Sequence, residues 1–144
     1  MRIIPFEPQY RDDMIFMILE AKNALGRVPG LNSDLLDIEK NYTDKGDMFW
    51  LALDENNRVI GSVGYSTNEN YDEVTLHRLF VKYNLKHQGI GTALLKTAEE
   101  YIKAQGKKII YVHLGDREQW YESHNFYPKH GYIEYKENYM KKGI

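Results

Sequence analysis

The sequence contains no cysteine among its 144 residues. Disulfide bonds, thiolate metal sites and a cysteine acyl-enzyme are therefore excluded. Long apolar runs are missing too, since a run such as Met14 to Leu19 is far too short to span a bilayer. The N-terminus lacks the apolar stretch and small-residue cleavage site of a signal peptide. We therefore expect a soluble, cytoplasmic protein with no membrane partner.

Charge of one sign does not dominate, because the net charge is only −2. Binding to nucleic acid requires a clustered cationic surface, so no nucleic-acid partner is expected. The charge is nevertheless uneven: residues 37–57 hold six acids and two lysines, and residues 82–108 hold six lysines and two glutamates. Either both segments are solvated surfaces, or the basic one lies near an anionic cofactor and the acidic one near a cationic acceptor.

The spacing of apolar residues predicts elements in the order β, α, α, β, β, β, α, β, α, β, β. The predicted strands are Ile3 to Phe6 (at a sheet edge), Met48 to Leu53, Val59 to Tyr65, Asp72 to Val81, Lys108 to Leu114, Tyr132 to Tyr135 and Tyr139 to Lys142. The predicted helices are Gln9 to Leu25, Asn32 or Ser33 to Tyr42, Gly89 to Gly106 and Arg117 to His130. This order predicts one domain over residues 1–144, of mixed α/β class. In it a single-layer, mostly antiparallel sheet of about six or seven strands is flanked by about four helices.

The segment from Leu79 to Leu95 carries the strongest functional pattern. A strand leads through a basic turn into two glycines, Gly89 and Gly91, at the start of an amphipathic helix. Glycine lets the backbone approach a ligand, and first-turn N–H groups lack intrahelical partners, so the helix start suits a diphosphate. The third glycine of a dinucleotide fingerprint and the Gly-Lys-Ser/Thr of a P-loop are absent. A tight turn that only caps the helix is the structural alternative.

This turn resembles motif A of the GNAT superfamily of N-acetyltransferases, Arg/Gln-x-x-Gly-x-Gly/Ala after a strand. Here it reads Lys86-His87-Gln88-Gly89-Ile90-Gly91, followed by Thr92-Ala93-Leu94-Leu95. Lys86 departs from the usual Arg or Gln: it keeps a charge but loses the planar fork. The predicted element order is also that of the acyl-CoA N-acyltransferase (GNAT) fold. The resemblance implies acetyl-CoA as co-substrate, bound by Leu79, Phe80, Val81, Lys86, His87, Gln88, Gly89, Ile90, Gly91, Thr92, Trp120 and Asn125.

A second cluster, His124 to Tyr132, resembles the Phe-Tyr-x-x-x-Gly-Phe/Tyr motif of the same family. In this resemblance Tyr127 takes the position of the tyrosine that protonates the departing thiolate. An unperturbed tyrosine has a pKa of about 10, little more than a unit above that of a thiol. On their own, Phe126 and Tyr127 are more typical of core aromatics. Trp120 stands where the family often has an Asn that contacts CoA.

Without cysteine, direct attack of an amine on the thioester is the simplest route. The resemblance implies that the acceptor is a primary amine of a small molecule or peptide, with a cationic acceptor as one option. A backbone N–H near Phe80 or Val81 is expected to stabilise the thioester oxygen. Glu73 and His77 share one face of a strand and are the candidate bases, His77 being favoured by its ordinary pKa of about 6.5. Alternatively, His77 is a hydrogen-bonded residue of the sheet.

The histidines show no metal-ligand spacing, so no metal is expected. The acidic segment and the Gly26 to Gly30 loop are candidate walls for the acceptor. The resemblance makes a homodimer a further option. Two other classes stay open: a non-catalytic CoA-binding or sensing module on the same fold, and an interaction domain whose glycine turn binds nothing.

Overall fold

The computed structural model describes residues 1–26 and 30–144. Within these residues, seven strands form one sheet in the order β1-β2-β3-β4-β5-β7-β6. They are β1 Arg2–Pro5, β2 Met48–Leu53, β3 Val59–Thr67, β4 Glu73–Val81, β5 Ile109–His113, β6 Ile133–Lys136 and β7 Tyr139–Gly143. Neighbouring strands are antiparallel except β4 and β5, which run parallel. The prediction of a mixed, mostly antiparallel sheet is confirmed.

The described part of the chain also contains four α-helices: α1 Arg11–Ala24, α2 Ile38–Asn41, α3 Ile90–Ala104 and α4 Tyr121–Lys129. The predicted continuous helix from Asn32 or Ser33 to Tyr42 is wrong. Asp37 leaves the helical region at φ −146°, and its carboxylate accepts a hydrogen bond from the backbone N–H of Lys40. This break reduces α2 to about one turn between two short 3₁₀ turns.

The sheet separates two apolar cores, and β2 shows the alternation that produces them. Phe49 and Leu51 point to the core formed with α1, whereas Trp50 and Ala52 point to the core formed with α3. The second of these cores also contains Tyr127 of α4. The position of Tyr127 is therefore determined by packing against the central sheet.

Strand β4 shapes the candidate site because it extends further than β5, its parallel neighbour. Its pairing with β5 ends at Leu76 opposite Val112, although β4 continues to Val81. A bulge against β3 lies between His77 and Phe80, and Arg78 within it has a φ of 58°. Beyond Leu76, no strand among the described residues pairs with the edge of β4 that faced β5.

The short C-terminal strands pair as a hairpin, in which β7 lies between β5 and β6. The outer positions of the sheet are occupied by β1 and β6. The sequence prediction that the first strand, with its prolines, lies at an edge is confirmed.

Candidate active site

A cavity of about 500 Å³ opens where β4 parts from β5. Its walls come from α1, the end of β4, the turn before α3, the beginning of α3 and most of α4. The predicted cofactor residues that line it are Leu79, Phe80, Val81, Lys86, His87, Gly89, Ile90, Gly91, Thr92, Trp120 and Asn125, and Tyr127 lines it as well. Gln88 lies apart from them, in a neighbouring depression with Asp54 and Ile90. The two sequence motifs thus meet at one cavity.

The N-terminus of α3 faces this cavity with open backbone donors. Gly89 precedes the helix in the left-handed conformation at φ 84°, and the described residues provide no side-chain cap for it. The first helical hydrogen bond runs from the N–H of Ala93 to the carbonyl of Gly89, at 3.0 Å. The N–H groups of Ile90, Gly91 and Thr92 therefore lack intrahelical acceptors, and an anion can accept from them.

The two glycines are present for different reasons. The positive φ of Gly89 strains any L side chain, so the turn itself requires glycine there. A Cβ at Gly91 would lie 3.5 Å from Phe126 and Val81, which is ordinary van der Waals contact. The fold therefore does not itself require glycine at position 91.

Lys86 forms an ion pair across the mouth of the cavity. Its Nζ donates to both carboxylate oxygens of Glu122, at 2.9 and 2.8 Å. Glu122 lies in the first turn of α4, where a carboxylate also interacts favourably with the helix dipole. Two of the three N–H donors of the Lys86 ammonium thus bind Glu122, and the predicted contact of Lys86 with CoA stays a prediction.

Tyr127 is almost completely buried, with 7% of its surface exposed. Its ring packs edge-on against Phe126 and Tyr132, at centroid distances of 5.3 and 5.2 Å. Among the described residues no hydrogen-bond partner reaches its hydroxyl. Burial raises the pKa of Tyr127 above its ordinary value. The sequence-based estimate of a proton transfer uphill by little more than one pKa unit is therefore too small.

The two candidate bases lie on β4 and do not line the cavity that Tyr127 lines. The Nε2 of His77 lies 2.7 Å from the Oγ of Ser66, and burial is the main cause that lowers the pKa of His77. Glu73 accepts a hydrogen bond from Asn70 at 2.7 Å. His77 is therefore a neutral, hydrogen-bonded imidazole near the start of the bulge, whereas Glu73 stands at the far end of the strand.

Trp120 spans the gap between the diverging strands. A Cβ added to Gly115, just after β5, would lie 2.0 Å from the indole ring. On its other side the ring lies 6.5 Å from that of Phe80 on β4, measured between centroids. The residue that departs from the family pattern thus connects both strand ends and forms part of the cavity wall.

An ion pair holds the bulge of β4 against the segment before α2. The guanidinium of Arg78 donates to both oxygens of Asp34, at 3.1 and 2.9 Å, and the Tyr42 hydroxyl donates to the same carboxylate at 2.7 Å. Ser62 donates to the carbonyl of Arg78 at 2.8 Å. The sequence analysis missed these residues, because no local pattern connects positions 44 residues apart.

Several carboxylates of the acidic segment have structural roles. Asp37 caps α2, and Asp54 accepts hydrogen bonds from backbone N–H groups in the turn before β3. Asp47 is buried and accepts from both the N–H and the hydroxyl of Thr67. These contacts favour the interpretation of a structural surface over that of an acceptor wall. Residues 27–29 of the other proposed wall lie outside the described residues.

Comparison with known families gives a match over most of the chain. The sequence pattern described as the Acetyltransferase (GNAT) family matches residues 15–132. Among curated proteins, the chain is 32% identical over 81 residues to N-acetyltransferase 8 of Rattus norvegicus, a match over 53% of this chain and 36% of that protein. The chain is also 36% identical over 72 residues to the N-acetylaspartate synthetase of Xenopus tropicalis, over 49% of this chain and 26% of that protein. These matches span only about a third of the relatives' own length.

Solved structures share the fold over nearly the whole chain. A GNAT-family acetyltransferase from Staphylococcus aureus Mu50 superposes with a TM-score of 0.90 at 25% identity, covering 99% of this chain and 98% of that one. The PaiA N-acetyltransferase of Thermoplasma acidophilum, solved in complex with coenzyme A, superposes with a TM-score of 0.75 at 19% identity, covering 100% of both chains.

Two features are absent from the described ranges 1–26 and 30–144. None of the helices there has the length and apolar character needed to cross a bilayer. Nor do His, Asp and Glu side chains there gather into a group that could hold a metal ion.

Proposed function

Because the chain belongs to the GNAT family of acetyltransferases, we propose that it transfers an acetyl group from acetyl-CoA to a primary amine of a small molecule or peptide. One observation carries the proposal: a single cavity joins the open N-terminus of α3, the partnerless edge of β4 and the ring of Tyr127. Such a groove offers an anion site, backbone donors and a proton donor along one path.

The residues at the start of α3 fit the diphosphate of acetyl-CoA. The N–H groups of Ile90, Gly91 and Thr92 are directed donors at the positive end of a helix, and no acidic residue lies in its first turn. Gly91 keeps the approach to these donors open. Further along the groove, N–H groups near Phe80 and Val81 are proposed to stabilise the thioester oxygen as it gains charge.

In the proposed reaction the amine nitrogen attacks the thioester carbonyl carbon. The C–N bond forms and the C–S bond breaks, while the proton of the amine passes to a base. The departing thiolate takes a proton from the hydroxyl of Tyr127. Because burial weakens Tyr127 as an acid, its contribution comes from its position at the groove.

His77 is proposed as the base, with Glu73 as the other candidate. The pKa of His77 is lowered by burial, so the imidazole is neutral and can accept a proton near pH 7. Protonated His77 cannot act as a base. We therefore expect kcat/KM to fall with decreasing pH, and because the pKa of His77 is lowered, the fall should lie below the ordinary histidine value of about 6.5. Steady-state rates of the wild type between pH 5 and 9, expressed against the concentration of unprotonated amine, measure this decline.

Two variants separate the candidate bases. His77→Gln should lower kcat by about 100-fold or more and remove the acidic limb, since general-base catalysis contributes on this scale. Glu73→Gln, on the same strand face, should leave both kcat and the limb nearly unchanged. The reverse pattern would identify Glu73 as the base.

The proposed function is tested by incubating the protein with acetyl-CoA and a panel of primary amines, followed by titration of released thiol. We expect thiol release that depends on the amine, together with an N-acetylated product in mass spectrometry. A protein that binds CoA in calorimetry yet releases no thiol with any amine would contradict acetyl transfer.

A non-catalytic CoA-binding or sensing module is the second candidate function. The observation that favours it is the separation of the catalytic candidates: Tyr127 is buried with a raised pKa, and His77 and Glu73 lie outside the cavity. For this function we expect CoA to raise the melting temperature by selective binding to the folded state, with no turnover.

A further inference from the structure

We propose that Trp120 limits the size of the acyl group that the cavity accepts, so that acetyl is used in preference to longer chains such as butyryl and hexanoyl. The inference rests on the proposed function and specifies its donor substrate. It comes from the geometry of the gap between β4 and β5, where the acyl end of the donor has to lie if its phosphates bind at α3.

The indole ring has a neighbour on each side of this gap. It lies directly on the backbone of Gly115, where even a Cβ would come within 2.0 Å of the ring. Its opposite side faces Phe80, with ring centroids 6.5 Å apart and planes inclined by 55°. The two rings therefore stand opposite each other across part of the gap, and both line the cavity.

The structure around the ring keeps it in place. The backbone N–H of Trp120 donates to the carbonyl of Asp116, and the carbonyl of Gly115 lies 2.9 Å from the Nε2 of the buried His124. Phe80 is backed by the apolar core on the α1 side of the sheet. A longer acyl chain would have to displace packed groups from two different elements, and dense packing resists such displacement.

The chemistry of the side chain agrees with this role. The indole of Trp120 presents a large apolar wall to the cavity. An apolar wall discriminates between acyl chains because a longer chain clashes with it sterically. One extra methylene commonly lowers kcat/KM by about 10-fold or more.

The experiment compares binding of CoA, S-ethyl-CoA, S-butyl-CoA and S-hexyl-CoA by calorimetry. These thioethers cannot react, so the result does not depend on turnover. In the wild type we expect S-hexyl-CoA to bind at least about 10-fold more weakly than S-ethyl-CoA. In Trp120→Ala this difference should disappear or reverse, because each methylene that becomes buried strengthens binding by about fourfold. The affinity for CoA itself, which has no acyl group, is measured in each variant as the reference, so that a general loss of CoA binding is separated from a change in acyl preference.

Tyr121→Ala is the matched control, since Tyr121 is the next residue, also lines the cavity and is 52% exposed. It should keep the wild-type preference. Trp120→Leu, which retains an apolar side chain, replaces Trp120→Ala if that variant does not fold. An unchanged preference in the folded Trp120 variant, or a wild type that binds S-hexyl-CoA as tightly as S-ethyl-CoA, would overturn the proposal. A wild type that does not bind CoA refutes the proposed function, whereas binding without turnover leaves the size limit measurable.

Discussion

A Gly91→Glu variant is expected to fold normally and to lose CoA binding, with a Kd at least about 100-fold higher than that of the wild type. The new carboxylate would stand among the open N–H groups of α3 and repel the diphosphate that they are proposed to bind. A loss of this size corresponds to about 2.8 kcal/mol. Titration calorimetry measures it directly. The fold should tolerate the change, because an acidic residue in the first turn of a helix is stabilising.

Two further substitutions at the same position separate the causes. Gly91→Ala should fold and bind CoA nearly as well as the wild type, because its Cβ meets Phe126 and Val81 only at ordinary contact distance, 3.5 Å. Gly91→Gln adds the bulk of Glu without its charge and should weaken binding less. If Gly91→Glu bound CoA within about tenfold of the wild type, the anion site would not lie at this helix.

A Tyr127→Phe variant is expected to lower kcat by about 100-fold, while its affinity for CoA stays within about twofold of the wild type. The substitution removes the proposed proton donor and leaves the ring packed against Phe126 and Tyr132. General-acid catalysis by a positioned group contributes on this scale. Thiol release measured with the best amine of the panel, together with calorimetry, separates turnover from binding.

Tyr132→Phe provides the matched control for Tyr127→Phe. Tyr132 is a buried tyrosine in contact with Tyr127, but its hydroxyl donates to Glu99 at 2.9 Å and it does not line the cavity. Loss of this charged hydrogen bond should lower the free energy of unfolding by about 1.5–3 kcal/mol and leave kcat nearly unchanged. If the Tyr127→Phe enzyme turned over as fast as the wild type, Tyr127 would not be the acid.

Local patterns predicted the elements that are determined by local physics. In α3, apolar residues such as Leu94, Ala98 and Ile102 recur at helical spacing, and all three are buried. The turn before α3 was recognisable because Gly89 and Gly91 follow a strand and precede that helix. Local patterns also gave the order of the elements, and from that order the mixed sheet and the number of its strands could be predicted.

Contacts between distant positions were not predictable from the same patterns. The helix expected up to Tyr42 is interrupted at Asp37, and the ion pair of Asp34 with Arg78 holds this segment against β4. The burial of Tyr127 and the position of Trp120 on Gly115 depend equally on tertiary packing. Side-chain environment, and with it the pKa of Tyr127, becomes visible only in the folded protein.

The ion pair between Lys86 and Glu122 alters how the groove should capture its ligand. Six lysines between positions 82 and 108 suggest a strong long-range attraction for a polyanion. The charge of the Lys86 ammonium is instead balanced by the carboxylate of Glu122, 2.8 Å away. Lys86 therefore adds little to the long-range attraction for a polyanion. The association rate should consequently vary less steeply with ionic strength than the lysine count implies.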